Sequence, residues 1–430
     1  MFSFSRQLYV RASLIFFLLC VLLLGAMAQS DAGSAALEGT ITDATAQAVP
    51  GAKITIRNPE TGYVRTLTAN DHGRFMASVM PIGSYDIEVS ATGFATTKRD
   101  KVQLIVGSTK AVNIGLQVAA ITEQVNVIEN AEIVNAGDTN NSVAISQRAI
   151  EQLPIRGRNF TEFIQLSPNV MQEQNRFGIS VNGQRSINSN ISLDGVDFND
   201  PVQGGQRGGG ANESAYFFPQ VAVREFQVVR DGASAQVGRT NSGYVNVVTK
   251  SGTNKFHGEG LYANRNGKMT SPDAFGNDSS SNAQNQFGGA VGGPIRRDRL
   301  FFFAAVEKNR VNIPYTVKFD TPTGGVVVPQ DIASQQGTFK QKNNPLVAFG
   351  RLDFVLNPTN TLNVQYTYAA QYGLNFGGVS GQTNAASTNN TILDRESQGL
   401  KAALTTVFSS NLLNDVRWQH VYDNRTQAVL

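Results

Sequence analysis

The chain is predicted to be mainly β, and three observations predict it. Glycine is frequent, at 41 of 430 residues, and only 16% of residues are charged, a balance that suits many tight turns. Apolar and polar residues alternate with period 2 in short segments from residue 36 onward and in longer ones after residue 253. Helical periodicity is confined to two short stretches in the middle of the chain. The length allows two to four domains, and the net charge of +3 is too small to argue for nucleic acid as a partner.

The N-terminus carries an export address. Arg6 and Arg11 precede an apolar run, "LIFFLLCVLLLG" at 14–25, followed by Ala26-Met27-Ala28 and Gln29. A basic start, a short apolar run and a small-residue cleavage site make residues 1–28 a signal peptide. The alternative is a membrane anchor, but the run falls short of the ~20 residues that span a bilayer. Cleavage removes Cys20, the single cysteine, and so excludes a disulfide framework. It also removes two arginines and no acid, lowering the net charge from +3 to +1. No later segment reads as a transmembrane helix, but an exported chain can also cross a membrane with strands.

Residues 36–118 form the first module. Ala52, Ile54 and Ile56 alternate with Lys53, Thr55 and Arg57, and Tyr85, Ile87 and Val89 with Asp86, Glu88 and Ser90. Pro50-Gly51, Thr61-Gly62, His72-Gly73 and Ile82-Gly83 place turns roughly ten residues apart, the spacing of a small antiparallel sandwich. The stretches "GTITDA", "VPGAKITI", "TGYVRTLTANDHGRF" and "PIGSYDIEVSATGF" resemble the carboxypeptidase-regulatory-like domain, a transthyretin-like β-sandwich. The resemblance implies carbohydrate binding, which no residue here shows. The three histidines, His72, His257 and His420, are too far apart in sequence for a metal motif, and no metal or other cofactor is expected.

Residues 119–252 form the second module. Its first part is extended and polar-flanked: Ile121, Thr122, Glu123, Gln124, Val125, Asn126 and Val127. Such a segment can pair its backbone with another protein's sheet edge, or serve only as a first strand or linker. Two short helices follow, one capped by Ser146 and stopped by Pro154, the other with Phe160, Phe163 and Ile164 on one face. Then come the strands "GISVNG", "NISLDGV", "REFQVVRDG" and "SGYVNVVTKSG". "AISQRAIEQLPIRGRNFTEFIQLSPNV", "VNGQRSINSNISLDGVDFNDP" and "VREFQVVRDGASAQVGRTNSGYVNVVTKSGTNKFHG" resemble the α/β plug domain of TonB-dependent outer-membrane receptors. Val237-Gly238 and Gly243-Tyr244 depart from that family's usual residues and indicate a divergent branch. The resemblance implies that residues 121–127 are the box that pairs with TonB.

"NSNISLDGVDFNDP" at 188–201 concentrates three acids, Asp194, Asp197 and Asp200. Asp194-Gly195 lies between apolar residues and is a strong hairpin signal, because both central positions of a type I′ turn need positive φ. Asp194 and Gly195 are therefore structural turn residues, and Asp194→Asn is expected to be mild, since Asn also tolerates positive φ. The acids do not complete a calcium loop: neither Asp194 nor Asp197 has a glycine five residues on or a glutamate eleven residues on. "GASAQ" lacks the last glycine of a nucleophile elbow, so no catalytic residue is assigned and no enzyme is expected. "QGGQRGGG" at 203–210 has no Lys-Ser/Thr after it and is no phosphate loop. There Arg207 and Asn212 are candidate ligand contacts, the alternative being solvated side chains.

Residues 253–430 alternate over longer strands. Leu362, Val364, Tyr366 and Tyr368 alternate with Asn363, Gln365 and Thr367, and Leu400, Ala402 and Leu404 with Lys401, Ala403 and Thr405. One apolar and one polar face, at roughly 10 residues per strand, is an outer-membrane barrel pattern, with the first face toward lipid. Connections at 295–299 and 357–361 are tight; those at 321–344 and 373–397 are long and polar. "GGPIRRDRLFFFAAVEKNR" resembles the early barrel hairpin of the OmpA-related, Oar-like receptor branch. About seven strands are expected, against about 22 in plugged transporters, which implies an incomplete barrel.

The whole implies an outer-membrane receptor that takes up a bulky nutrient such as an oligosaccharide or peptide. Its partners would be a TonB-type inner-membrane energy-coupling complex, outer-membrane lipid and a glycan or peptide ligand. The first two modules would be reachable from the periplasm. The alternatives are a surface adhesion or assembly protein, and a secreted glycan-binding module.

Overall fold

The computed structural model describes residues 33–118, 125–126, 141–153, 160–173, 178–200, 218–233, 237–269, 271, 283–317, 329–376, 391–409 and 412–429. The leader, Arg207, Asn212 and all of 121–127 except Val125 and Asn126 lie outside them.

The first module holds β1 (Ser34–Asp43), β2 (Lys53–Arg57), β3 (Val64–Thr68), β4 (Arg74–Pro81), β5 (Gly83–Ser90), β6 (Thr97–Leu104), β7 (Thr109–Ala111) and β8 (Ile114–Leu116). β1 pairs with β4, β7 and β8 in one sheet; the other has the order β3-β2-β5-β6-β9. β9 is Val125–Asn126, so this sheet takes its last strand from beyond residue 118. The alternation sorts side chains as expected: in β2, Ile54 and Ile56 are buried while Lys53 and Arg57 are exposed. Leu37, Ile41, Phe75, Met80, Ile87 and Leu104 join them in one apolar core. Burying each such side chain stabilises the fold by about 1.5–3 kcal/mol. Tyr85 is buried as well, and its hydroxyl donates to the Pro81 carbonyl at 2.7 Å. Gly39 on β1 lets the link between β7 and β8 pass close in the same sheet, since a Cβ there would lie 1.9 Å from the Val112 carbonyl oxygen.

The second module contains β10 (Asn141–Ile145), α1 (Gln147–Gln152), α2 (Phe160–Ile164), β11 (Val170–Gln172), β12 (Ile179–Val181), β13 (Asn190–Leu193), β14 (Val196–Asp197), β15 (Val223–Asp231) and β16 (Tyr244–Thr249). Ser146 caps α1, accepting from the Ala149 amide at 3.4 Å. The sheet order is β10-β15-β16-β13-β14, with β13 parallel to β16 and the remaining neighbours antiparallel. The alternation in β16 suggests one wet face, but all six of its residues are buried. Val245 and Val247 enter the main apolar cluster, while Val248 packs with Ile82 and Val106 of the sandwich.

The third region is a sheet of long antiparallel strands: β17 (His257–Asn266), β18 (Ala283–Arg296), β19 (Leu300–Val317), β20 (Gly337–Asn343), β21 (Leu346–Asn357), β22 (Asn360–Phe376), β23 (Thr391–Val407) and β24 (Leu413–Val429). A short helix, α3 (Gln330–Ala333), precedes β20. β20 and β21 pair with β19 in a single register, Val317↔Gly337 to Leu300↔Phe354, and act as one strand broken at Asn344-Pro345. Proline has no amide hydrogen for the ladder, which accounts for the break. The strands exceed the expected ten residues: β22, β23 and β24 have 17 each. At ~3.3 Å per residue they reach about 55 Å, well past a ~25 Å apolar band even when tilted.

Each long strand has an outer face with exposed apolar residues, including Val306, Tyr366, Leu400, Val416, Trp418 and Tyr422. On the inner face Phe303, Ala305, Val347, Phe349 and Ala369 are buried against the second module. Phe218 meets Phe349 edge-on at 5.0 Å between ring centres.

Candidate functional site

The inner face of the long-stranded sheet changes from apolar to charged where it meets the β13–β14 hairpin. Asp194 and Gly195 are the two central residues of that hairpin, with φ of 46° and 74°. The backbone conformation thus follows from residue type: Gly has no Cβ to clash at positive φ, and Asp tolerates it.

The tertiary setting gives Asp194 a second task. Its carboxylate accepts from the Thr249 amide at 3.0 Å, the Thr249 hydroxyl at 2.8 Å and the Gln365 side-chain amide at 2.6 Å. The Arg351 guanidinium lies 3.7 Å away. Lys401 Nζ donates to the Asp194 carbonyl at 2.8 Å, and Arg417 to the Gly195 carbonyl at 3.1 Å. Burial pushes the Asp194 carboxyl up, but Lys401, Arg351 and the Thr249 hydrogen bonds outweigh it and hold it below the usual carboxylate range. Arg351 is held in turn by Asp353 at 2.8 Å, and Arg417 by Asp415 at 2.9 Å. The turn assignment was therefore incomplete. Three basic side chains from β21, β23 and β24 grip this turn, and the mildness expected for Asp194→Asn does not follow.

The other two acids of the stretch go elsewhere. Asp200 meets Arg395 at 3.3 Å, and Arg395 also forms two bonds to Asp423, at 3.0 and 2.7 Å. Asp197 pairs with Arg239 at an exposed edge and accepts from the Asn199 amide at 2.8 Å. Each acid thus has its own cation, and among the described residues no three His, Cys, Asp or Glu side chains gather to hold a metal ion. A further carboxylate, Glu307 on β19, is fully buried; it accepts from the Val221 amide at 2.7 Å and the Gln286 side chain at 2.9 Å.

A cavity of about 230 Å³ lies beside Asp194, lined by Arg351, Lys401 and Arg417 and by Tyr63 and Ile82 of the sandwich. The sandwich joins the second module through Ile82, Val106 and Val248, and the Val106 amide donates to Glu225 at 2.6 Å. Burial pushes the Glu225 carboxyl up, against the opposing pull of that amide and of Arg224. The Glu60 carbonyl accepts from the Asn254 amide at 2.7 Å, and Asn254 donates to Asp298 in the tight β18–β19 turn.

Of the residues 121–127 singled out in the sequence, Val125 and Asn126 pair in parallel with Thr97 and Lys98 of β6. Sequence reasoning did not find Arg395, Arg417 or Glu307. It placed Lys401 and Gln365 on the polar face of their strands, but alternation names a face and not the partner across it.

This arrangement defines the class. Residues 36–117 match the carboxypeptidase regulatory-like domain and residues 248–348 the outer membrane beta barrel domain. The chain is an outer-membrane β-barrel protein with an N-terminal regulatory-like sandwich. It is similar to the TonB-dependent transporter Oar of Myxococcus xanthus, at 28% identity over 291 residues, 64% of this chain and 26% of that protein. It therefore spans about a quarter of the length of that relative. These relatives are transporters and receptors, not enzymes. Similar solved structures include the outer membrane transporter YddB of Escherichia coli, with a TM-score of 0.46 and 14% identity, over 66% of this chain and 39% of that one. The ferric enterobactin receptor PfeA of Pseudomonas aeruginosa has a TM-score of 0.47 and 16% identity, over 67% and 41% of the two chains.

Proposed function

We propose that the protein is a TonB-dependent receptor that takes up a bulky nutrient, such as an oligosaccharide or peptide, across the outer membrane. In this reading residues 36–118 are the accessory sandwich, 119–252 the plug and 253–430 barrel strands. Residues 121–127 are the segment that a TonB-type inner-membrane complex captures by strand addition. The observation that carries the reading is the grip on Asp194: a compact module sits on the inner face of membrane-type strands, held by Arg351, Lys401 and Arg417. Charge pairs in a polar interface are specific, but they exchange for water more readily than a sealed apolar core. That suits a plug which must stay seated and still move when pulled. Ligand binds from the outer side, with Arg207 and Asn212 as contacts.

The test is deletion of residues 121–127 in the full-length receptor. Outer-membrane insertion and heat-modifiable migration should persist. Accumulation of labelled oligosaccharides or peptides in the periplasm, and binding to the periplasmic domain of TonB, should be lost. Undiminished TonB binding would remove the coupling assignment. A protein found only in the culture medium would favour a secreted glycan-binding module instead.

A further inference from the structure

The sandwich touches the rest of the molecule through two contacts of opposite character. Against the second module the contact is buried. Val106 packs with Ile82 and Val248, and its amide donates to the buried Glu225 carboxylate at 2.6 Å. Gly107 lies so close to Gln227 that a Cβ there would meet the side-chain oxygen at 2.1 Å. Against the long-stranded sheet the contact is open to water. The Glu60 carbonyl accepts from the Asn254 amide at 2.7 Å, and Gly62 packs on Asp298 of the exposed β18–β19 turn, where a Cβ would lie 2.0 Å from the carboxylate oxygen. Asn254 holds Asp298 in that position: its side-chain amide donates to the carboxylate at 2.7 Å, and its side-chain oxygen accepts from the Asp298 amide at 2.9 Å.

The hairpin between β2 and β3 that makes the second contact is stiff. The Asn58 side chain accepts from the Glu60 and Thr61 amides at 2.9 and 3.2 Å, and the Asn58 amide donates to the Tyr63 carbonyl at 2.8 Å. Tyr63 in turn packs edge-on against buried Tyr85, with ring centres 6.3 Å apart. The hairpin therefore moves with the body of the sandwich. Between the two contacts lies the cavity beside Asp194. Thr61, Tyr63 and Ile82 form its sandwich wall, and Arg351, Lys401 and Arg417 stand on the other side. A rigid sandwich that pivots on the buried contact while its hairpin leaves the turn uncovers these charges.

We propose that the sandwich is a hinged cover over the Asp194 seat: Val106 and Gly107 fix it to β15 of the second module, and the 60–62 turn latches it to the β18–β19 turn, where it opens. Which side yields follows from the contacts. Hydrogen bonds already open to water exchange for water at little cost, whereas parting the other contact would leave apolar surface in water. The inference deepens the reading of the second module as a plug, since water admitted to Arg351, Lys401 and Arg417 weakens the attractions that seat it.

The experiment places one reporter thiol at a time in the full-length receptor, whose single native cysteine, Cys20, lies in the leader. Ala403→Cys reports from the strand wall of the cavity, and Val106→Cys from the buried contact. The rate of alkylation by a maleimide is measured in outer membranes. Two changes open the latch. Gly62→Asn tolerates the φ of 69° but adds a side chain where Asp298 sits. Asn254→Pro lies outside the sandwich and removes the amide that reaches Glu60. Gly51→Asn is the control, at φ of 71° with nothing within 4 Å of the added Cβ. Each latch variant should speed alkylation at Ala403→Cys by about fivefold to tenfold over the control and leave the rate at Val106→Cys unchanged. Equal rates at Ala403→Cys in Asn254→Pro and the control overturn the cover, and a parallel rise at Val106→Cys in Asn254→Pro overturns the hinge. The assay uses neither TonB nor substrate, so its failure is separate from that of the transport reading, which deletion of residues 121–127 tests.

Discussion

The sandwich and the contact between the second module and the long-stranded sheet bury side chains in opposite ways. In the sandwich, Leu37, Ile41, Ile54, Ile56, Ile87 and Leu104 meet one another from two sheets, and the buried Arg65 beside them donates to the Ser78 carbonyl rather than to an acid. At the other contact the apolar part is one patch around Phe218, Phe303 and Phe349. Beside it stand Asp194 with Arg351 and Lys401, Asp200 with Arg395, and buried Glu307. Apolar burial is non-directional and tolerates small shifts, whereas a buried charge needs its partner in place. The first region is built to stay folded as a body; the second is built to seat in one position.

Four substitutions break or sharpen this contrast. The largest effect is expected at Arg395, whose side chain is 3% exposed between Asp200 and Asp423. Arg395→Leu strands two carboxylates and should destabilise the seated state by about 3–5 kcal/mol, read by denaturant titration and protease sensitivity of the full-length receptor. A loss under about 1 kcal/mol would mean that the charges are solvated and the contrast false.

Next comes Ile54→Ala in the sandwich. The side chain is fully buried, and its loss should cost about 3 kcal/mol of sandwich stability while protease access to the second module stays unchanged. If both modules loosen together, the two regions are one cooperative unit.

Asp194→Asn should cost about 2 kcal/mol, because it keeps the turn but removes a charge-assisted set of hydrogen bonds. Its pH signature follows from the depressed carboxyl. The folded-state pKa lies below the unfolded one, so the stabilisation is complete above the ordinary value near ~3.9 and is lost as pH falls through the folded value. Acid titration of stability should therefore be shallower in Asp194→Asn than in the parent. Identical acid profiles would show that the carboxylate contributes nothing to the grip.

The smallest effect belongs to Asp197→Asn. Its pair with Arg239 has both side chains about half exposed, at 43% and 53%, and the change should alter stability by no more than about 1 kcal/mol. A loss as large as that at Arg395 would erase the distinction between rim and centre of this interface.

Much of this molecule is written locally. Period 2 in residues 52–57 placed Ile54 and Ile56 inside, because successive side chains of a strand point to opposite faces. Asp194-Gly195 marked a hairpin, because few residue pairs accept two successive positive φ values. Ser146 marked a helix start for a similarly local reason, a side-chain acceptor for an otherwise unpaired amide. Alternation likewise put Gln365 and Lys401 on the polar face of their strands.

Tertiary structure alone decided which groups meet. Asp194 is 157 residues from Arg351 and 207 from Lys401, and no local periodicity encodes the register that brings three strands over one turn. β16 is buried on both faces: on the side that its alternation would leave to water, Ile82 and Val106 of the sandwich pack on Val248, and Ser192 bonds Tyr244 and Asn246. Val125–Asn126 carries too little pattern to name a neighbour, and only the fold sets it beside Thr97 and Lys98 of β6. Short-range sterics and side-chain polarity set each segment's conformation and its faces; the pairing of faces is a property of the assembled chain, where desolvation makes every buried charge find its partner.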